Sequence, residues 1–339
     1  MTEQTQQSRP IDVFGVGNAM VDILTFVEDD FIREHALNRG SMTLVDAQKQ
    51  GGLLHNLEHH SLELSSGGSA ANTMIALAQS GGNGFYSGKV AKDTNGEFYR
   101  QDLLEAGIHF DVHPAPESNE PTGTCLVLTT PDAERTMCTH LGVSTTLAPT
   151  DIDVERLSRC KYSYIEGYLW DAPDPRQACV ETMEQSKRNG VKVAFTVSDS
   201  FLVERFTDDF QKLVADYCDL LFCNADEVRH FCGLESLEES ANKISKLVDL
   251  AFITNGADGC MVVENQQITK VPGFPVKAID TVGAGDAFAG GVLFGLTNGL
   301  SNQQAARWGN YLASRVVQVQ GARLATKSMA EQIKEVIGN

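Results

Sequence analysis

The stretch Ala278–Gly291, AIDTVGAGDAFAGG, sets the carboxylate of Asp286 among four glycines where a helix over Ala284–Leu296 is predicted to begin. Glycine inside a helix costs about 1 kcal/mol against alanine, so a cluster of four needs a reason. The first turn of a helix has unpaired amides and the positive end of the helix dipole, and it attracts anions. Missing side chains at Gly283 and Gly285 would open the amides of Gly283, Ala284, Gly285 and Asp286 to a phosphate. Asp286 would then sit beside that anion and could accept the proton of an alcohol attacking a phosphoryl group. Such general-base help is typically worth roughly 10²–10⁴-fold, and each preorganised donor to developing charge about 3 kcal/mol. The plainer account leaves Asp286 to complement the helix dipole and the glycines to permit close packing.

Three further constellations carry the same double reading. Gly67–Gly68–Ser69–Ala70–Ala71–Asn72 opens a second helix, where the backbone could approach a polyhydroxylated ligand and Asn72 could bond its hydroxyls; a serine N-cap is the plain alternative. Asn18 and Asp22 follow a strand ending in Gly15-Val16-Gly17. This segment lacks the third glycine and the helix of a dinucleotide fingerprint. It does lie just past the end of a parallel strand, where α/β proteins bind ligands, and Asp22 could accept from two vicinal hydroxyls. Asn224–Glu227 reads locally as a capping box, with a role near Mg²⁺, its waters or phosphates as the functional alternative. His55–His59, HNLEH, matches a zinc-peptidase pattern, but no third acidic ligand is identifiable, and a solvated amphipathic helix accounts for it better.

The chain around these motifs has 339 residues, 42% hydrophobic and 21% charged, with a net charge of −18. That charge argues against nucleic acid and anionic membranes as partners. No apolar run reaches the roughly 18 residues of a membrane span. The N-terminal residues 1–10 are polar and read as a disordered tail without signal-peptide features. Eight cysteines without a C-x-x-C spacing suggest reduced, buried thiols and a cytoplasmic protein.

Positioning the motifs requires alternating strands and helices. Strands are predicted at 11–17, 20–27, 85–90, 162–165, 192–196, 220–223 and 250–254, and hairpins at 122–140 and 260–270. Helices are predicted at 69–79, 95–106, 175–189, 206–217, 225–232, 237–247, 284–296 and 302–318. This alternation implies a mostly parallel sheet covered on both faces. The β-rich stretches near 19–65 and 110–145 break it and are expected to pair as a smaller lid inserted in one domain over 11–339.

Taken together, Gly67–Asn72 (G-G-x-x-x-N), Asp280–Asp286 (D-T-x-G-A-G-D) and Asn224–Glu227 (N-x-x-E) resemble the signatures of the PfkB, or ribokinase-like, family of carbohydrate and nucleoside kinases. The resemblance covers roughly residues 11–335. It implies a three-layer αβα sandwich with a β-rich lid, and an ATP-dependent phosphotransferase using Mg²⁺. The branch most resembled is adenosine kinase, through Gly17–Asp22, Pro121–Cys125, the Arg135 segment and Tyr164–Tyr168. That resemblance implies phosphorylation of a nucleoside 5′-hydroxyl, with adenosine the expected substrate. The ribose would be held by Asn18, Asp22, Gly67, Gly68 and Asn72, and the base would lie near Cys125 and Tyr168. Arg135 would stand near the transferring phosphoryl group, with Asp286 as base. Asn224 and Glu227 would position Mg²⁺ through water. The ATP base would lie near Thr254, Gly256 and Asn310, and a K⁺ ion near the backbone of Asp280 and Val282. One residue departs from the branch: Val282 stands where adenosine kinases often carry Asn, and Val or Thr is common among sugar kinases. A sugar kinase on the same scaffold is therefore the alternative, and a non-catalytic nucleoside sensor a more distant one. A lid carrying its own helix would cover the sheet edge used for dimers in ribokinase, so a monomer is expected, with a dimer the alternative.

Overall fold

The computed structural model describes residues 10–110, 120–132 and 134–338. Most of the expected tail, and the lid residues 111–119, lie outside this set. Thirteen strands are formed among the described residues: β1 (Val13–Val16), β2 (Met20–Phe26), β3 (Met42–Leu44), β4 (Glu63–Gly67), β5 (Gly84–Ser87), β6 (Gly123–Thr129), β7 (Arg135–His140), β8 (Tyr162–Glu166), β9 (Lys192–Thr196), β10 (Leu220–Asn224), β11 (Leu250–Thr254), β12 (Cys260–Glu264) and β13 (Gln267–Val271). Eight of them form the main sheet in the order β13-β12-β11-β10-β9-β8-β1-β5. The run from β5 to β11 is parallel, and β12 and β13 close the far edge as an antiparallel hairpin.

Successive strand residues point to opposite faces, so a sheet buried on both sides reads as continuous apolar runs. The core obeys this. Val13, Tyr164, Leu220, Phe222 and Phe252 pack on one face, with Met74, Phe288 and Trp308 from the helices Ser69–Gln79, Ala284–Thr297 and Asn302–Val316. Phe14, Val16, Ile165, Phe195 and Leu221 pack on the other, with Met183, Phe210 and Phe231 from Pro173–Asn189, Ser200–Tyr217 and Ala225–Cys232. The result is the three-layer α/β architecture expected from the sequence.

The remaining strands form a second sheet, β3-β7-β6-β2-β4. Val21, Ile23, Leu126, Leu128 and Cys138 belong to the same core as Ile32, Leu53 and Leu57 of the helical segments beneath this sheet. The alternate residues Asp22, Leu24, Cys125, Val127, Arg135 and Met137 line a cavity. Period two along β2, β6 and β7 thus separates a core face from a ligand-accessible face.

Two elements differ from expectation. The helix expected at 206–217 begins at Ser200, where the Asp199 carboxylate accepts from the Phe201 amide, and it is broken by a non-helical Phe206 (φ −129°, ψ 30°). The helix Ala47–Asn56 ends before Glu58 and His59. His55 and His59 therefore do not share a helical face, and their side chains are 77% and 92% exposed. Among the described residues no cluster of His, Cys, Asp and Glu is arranged to hold a metal ion.

Candidate active site

The parallel strands deliver their C-terminal ends to one edge. Asn18 follows β1, Glu166 ends β8, Ser198 follows β9, Asn224 ends β10 and Thr254 ends β11. Above this edge stand the N-termini of the helices Ser69–Gln79 and Ala284–Thr297, which pack closely side by side. A Cβ on Gly290 would come within 2.4 Å of the Thr73 carbonyl oxygen, and one on Gly291 within 2.9 Å of the Gly309 Cα. These two glycines are packing glycines. The approach at Gly290 draws the helix of Asp286 against that of the second motif. The Ser69 hydroxyl donates to Asp286 Oδ1 at 2.6 Å, and the Asn72 amide reaches Oδ2 at 3.5 Å.

Asp286 lies in the wall of a cavity shared with Ser69, Ser198, Asn224, Glu227, Thr254 and Gly285. Burial pushes its carboxyl up to about 6, against the opposing pull of the Ser69 and Asn72 hydrogen bonds. A carboxylate poised there is ionised at neutral pH yet basic enough to take a proton. The two signature glycines of its turn do different things. Gly283 has φ +76°, and a Cβ there would lie 2.2 Å from the Ala322 carbonyl oxygen, so its missing side chain makes room for protein. No atom lies within 4 Å of a Cβ on Gly285, so there the first helical turn faces open space. The expected opening toward an anion falls at Gly285 and not at Gly283.

A second cavity is lined by Asp22, Cys125, Arg135, Val282 and Arg323, with Leu24, Leu64, Val127, Met137 and Leu324 forming an apolar wall. The glycine pair packs against Asp22 of this lining and against Asn18. A Cβ on Gly67 would lie 2.3 Å from Asp22 Oδ1; one on Gly68, at φ +97°, would lie 2.2 Å from the Asn18 carbonyl oxygen. Only glycine lets these segments meet, because the clash adds to a backbone conformation unfavourable for any other residue. Burial raises Asp22 to about 7, with Arg323 and Arg135 pulling it down and Asp286 pushing it up. Arg135 is itself buried and paired with Asp280 Oδ2 at 2.7 Å.

Glu166 was not singled out for a role in the sequence. Its buried carboxylate accepts from the Asn18 amide through Oε1 and from the Ala70 amide through Oε2, both at 2.7 Å, and so binds the first and second motifs together. Burial raises it to about 7, the two amides oppose this, and Asp286 adds to it. The available signal was a lone acid at the end of an otherwise uncharged, buried strand.

The other expected residues are distributed as follows. Asn224 and Glu227 make the full capping box: the Asn224 side chain accepts from the Asp226 and Glu227 amides, and Glu227 accepts from the Asn224 backbone and side chain. Both also line the Asp286 cavity, so the capping and functional readings coexist. Glu227 is buried and raised to about 7, chiefly by desolvation, and a cation in the cavity would favour its ionised form. These residues fit a hydrated Mg²⁺. Asp280 spends Oδ1 on the Val282 amide and Oδ2 on the Gly321 amide and Arg135, which leaves carbonyl oxygens as the ligands for any K⁺ ion there. Thr254 lines the Asp286 cavity, Gly256 opens a short 3₁₀ turn just beyond it, and Ala284 begins the helix of Asp286. Asn310 lines neither cavity; its amide donates to the carbonyls of Val271 and Pro272. The Tyr168 hydroxyl lies 3.4 Å from the Ser198 carbonyl, on the side of the Asp286 cavity, whereas Cys125 lines the apolar-walled one.

Comparison with known proteins places the whole fold in a family. Residues 42–329 match the model of the pfkB family carbohydrate kinases. Adenosine kinase 2 of Arabidopsis thaliana is 28% identical, over 93% of this chain and 96% of its own length. The crystal structure of adenosine kinase from Sinorhizobium meliloti is 33% identical with a TM-score of 0.88, covering 96% of this chain and 99% of that one. A probable sugar kinase from Rhizobium etli is 32% identical with a TM-score of 0.88, covering 96% and 98%. Among the described residues no helix is long and apolar enough to cross a membrane. With a family match spanning both glycine motifs and the candidate base that closes the second, this chain belongs to the pfkB family of carbohydrate kinases and is a phosphotransferase.

Proposed function

We propose that the chain transfers the γ-phosphoryl group of ATP to the 5′-hydroxyl of a nucleoside, with adenosine the preferred acceptor. The observation that carries this reading is that Asp286 lines one cavity while it is hydrogen-bonded to the Gly67–Asn72 motif. It is held by Ser69 and Asn72 of the acceptor motif and faces the cavity of Gly285, Asn224 and Glu227. In this reading the acceptor hydroxyl lies against Asp286, which takes its proton as the oxygen attacks. The open first turn around Gly285 receives the phosphoryl oxygens, and the dipole of the helix Ala284–Thr297 favours their charge. Asn224 and Glu227 would hold a hydrated Mg²⁺ there, whose charge would offset that of the ATP phosphates. Arg135, anchored by Asp280, supplies a second positive group from the rim of the acceptor cavity. The second sheet acts as the lid that excludes water from the reacting centre.

The preference for a nucleoside rests on the acceptor cavity. Asp22 in its wall is suited to ribose hydroxyls, and Asn18 and the Gly67–Gly68 backbone adjoin it through the close contacts of the glycine pair. The wall of Leu24, Leu64, Val127, Met137 and Leu324 suits a flat base, whose burial it would reward. The relatives from Arabidopsis thaliana and Sinorhizobium meliloti named adenosine kinase support the same choice. Val282 and the Rhizobium etli relative named a probable sugar kinase favour the second reading, a sugar acceptor. Purified protein incubated with Mg²⁺-ATP and a panel of nucleosides and sugars separates the two. AMP formed from adenosine supports the nucleoside reading; phosphosugars as the sole products overturn it.

A further inference from the structure

The segment after the helix Asn302–Val316 has no regular structure, yet it touches both halves of the site. The Val317 carbonyl accepts from the amides of Ile279 and Asp280, and the Gly321 amide donates to Asp280 Oδ2 at 2.8 Å. Ala322 fills the space beside Gly283. Arg323 then reaches across the acceptor cavity to the other side. Its guanidinium donates to Ser66 Oγ at 3.0 Å and to Asp102 Oδ2 at 2.5 Å. The same Asp102 oxygen also accepts from the Ser66 amide at 2.9 Å and the Ser66 hydroxyl at 2.6 Å. Ser66 directly precedes the Gly67–Gly68 pair, and Asp102 lies on the helix Thr94–Glu105. Beyond Arg323, the Gln79 side chain donates to the carbonyls of Leu324 and Thr326, pinning the far end of the segment.

We infer that residues 317–326 form a strap tying the phosphoryl-transfer turn to the acceptor motif, and that Arg323 is its positioning residue for acceptor binding. The inference rests on the assignment of the Asp22–Arg135 cavity to the acceptor. Arg323 and Asp102 are both partly exposed, at 21% and 27%, so their attraction is screened and adds little to global stability. Their effect is geometric. One carboxylate oxygen gathers three donors and fixes the residue that leads into Gly67–Gly68. Removing the Arg323 guanidinium leaves Ser66 on Asp102 and the strap pinned at its ends, but it unties one from the other and loosens the acceptor site without disturbing the cavity of Asn224 and Glu227.

Steady-state kinetics of Arg323→Met, Asp102→Asn, the double variant and Arg323→Lys test this, with whichever acceptor the wild type turns over. Product identity in the wild type thus judges the substrate assignment, and the variants judge the strap. Arg323→Met is expected to raise the acceptor KM by about tenfold or more, with the ATP KM within about twofold and saturating kcat within about threefold. Arg323→Lys should recover most of that loss. The double variant should be no worse than the more damaging single one, because the three side chains act as a unit. An acceptor KM within about twofold of wild type in Arg323→Met overturns the inference, as does an equal rise in both KM values. Multiplying effects in the double variant also overturn it. Should Arg323→Met fail to fold, Asp102→Asn and Arg323→Lys apply the same criteria.

Discussion

The two glycine turns are alike in sequence and opposite in use. Each sits at the start of a helix, and each belongs to a motif built of small residues. At Gly67–Gly68 the space of the missing side chains is filled by protein, the Asp22 carboxylate and the Asn18 carbonyl. At Gly285 that space is empty. The first turn brings protein groups together; the second keeps protein away from its amides, which in the proposed reading leaves them to a ligand. Gly283, inside the second motif, belongs physically with the first kind. A glycine signature therefore says that something approaches closely, and only the fold says whether it is the chain or its substrate.

The contrast is tested most severely at the group between the turns. Asp286→Asn removes the base while retaining an acceptor for Ser69, so kcat should fall by about 100-fold or more while acceptor binding, measured by calorimetry, persists. Near-wild-type turnover would show that Asp286 is not the base. Gly68→Ala forces alanine into φ +97° against the Asn18 carbonyl. It should cost about 2–4 kcal/mol in urea unfolding, strain and overpacking together. Gly285→Ala meets nothing, and alanine suits a helical turn, so stability should hold or rise by up to about 1 kcal/mol. Its turnover should nevertheless drop about tenfold or more, because the methyl group displaces the phosphoryl oxygens. If Gly285→Ala unfolds as readily as Gly68→Ala, the distinction between the turns fails.

What was legible in the sequence follows the same physics. Ala225–Cys232 was readable to the residue because periodicity, cap and glycine stop agreed; Ser69–Gln79 was readable from periodicity and the following glycines, whereas its serine N-cap is not formed, since Gly68 holds the N-cap position and the Ser69 hydroxyl turns to Asp286. β3, three residues long, and β4, half of it exposed, carry no pattern of their own and exist through pairing with β7 and β2. Motif types and spacing singled out Gly67–Asn72 and Asp280–Asp286, and the structure brings Ser69, Asn72 and Asp286 together. Asn310 was grouped by resemblance with the ATP site, but it is engaged by the backbone at the end of β13 and its neighbour Pro272. Arg323 lay beyond any reading of spacing. Its partners Ser66 and Asp102 are more than two hundred residues away, and an arginine in an irregular segment looks like any solvated side chain.

The smallest expected effect concerns both turns at once. Asp22, Glu166 and Glu227 are each raised to about 7 and Asp286 to about 6, all chiefly by burial, and Asp286 further raises the other three. Their values in an unfolded chain are near 4. Between roughly pH 4 and 7 the native state therefore binds more protons than the unfolded state, and stability from these groups declines as pH rises. It is fully present below the unfolded values and lost by the time pH passes the folded ones. The hydrogen-bonded Asp93 and Asp102 are lowered instead, so their contributions disappear only in more acid solution. The protein without ligands should thus melt a few degrees higher at about pH 5.5 than at about pH 7.5. Turnover should run the other way, falling below about pH 6 as Asp286 takes up its proton. Mg²⁺-ATP should stabilise the protein more at the higher pH, where Glu227 and Asp286 are ionised and face the added cation. Gly285→Ala leaves these carboxylates in place and should keep the same dependence of melting on pH. Gly68→Ala separates Asn18 from the acceptor motif, relieves the crowding of Asp22 and Glu166, and should flatten it.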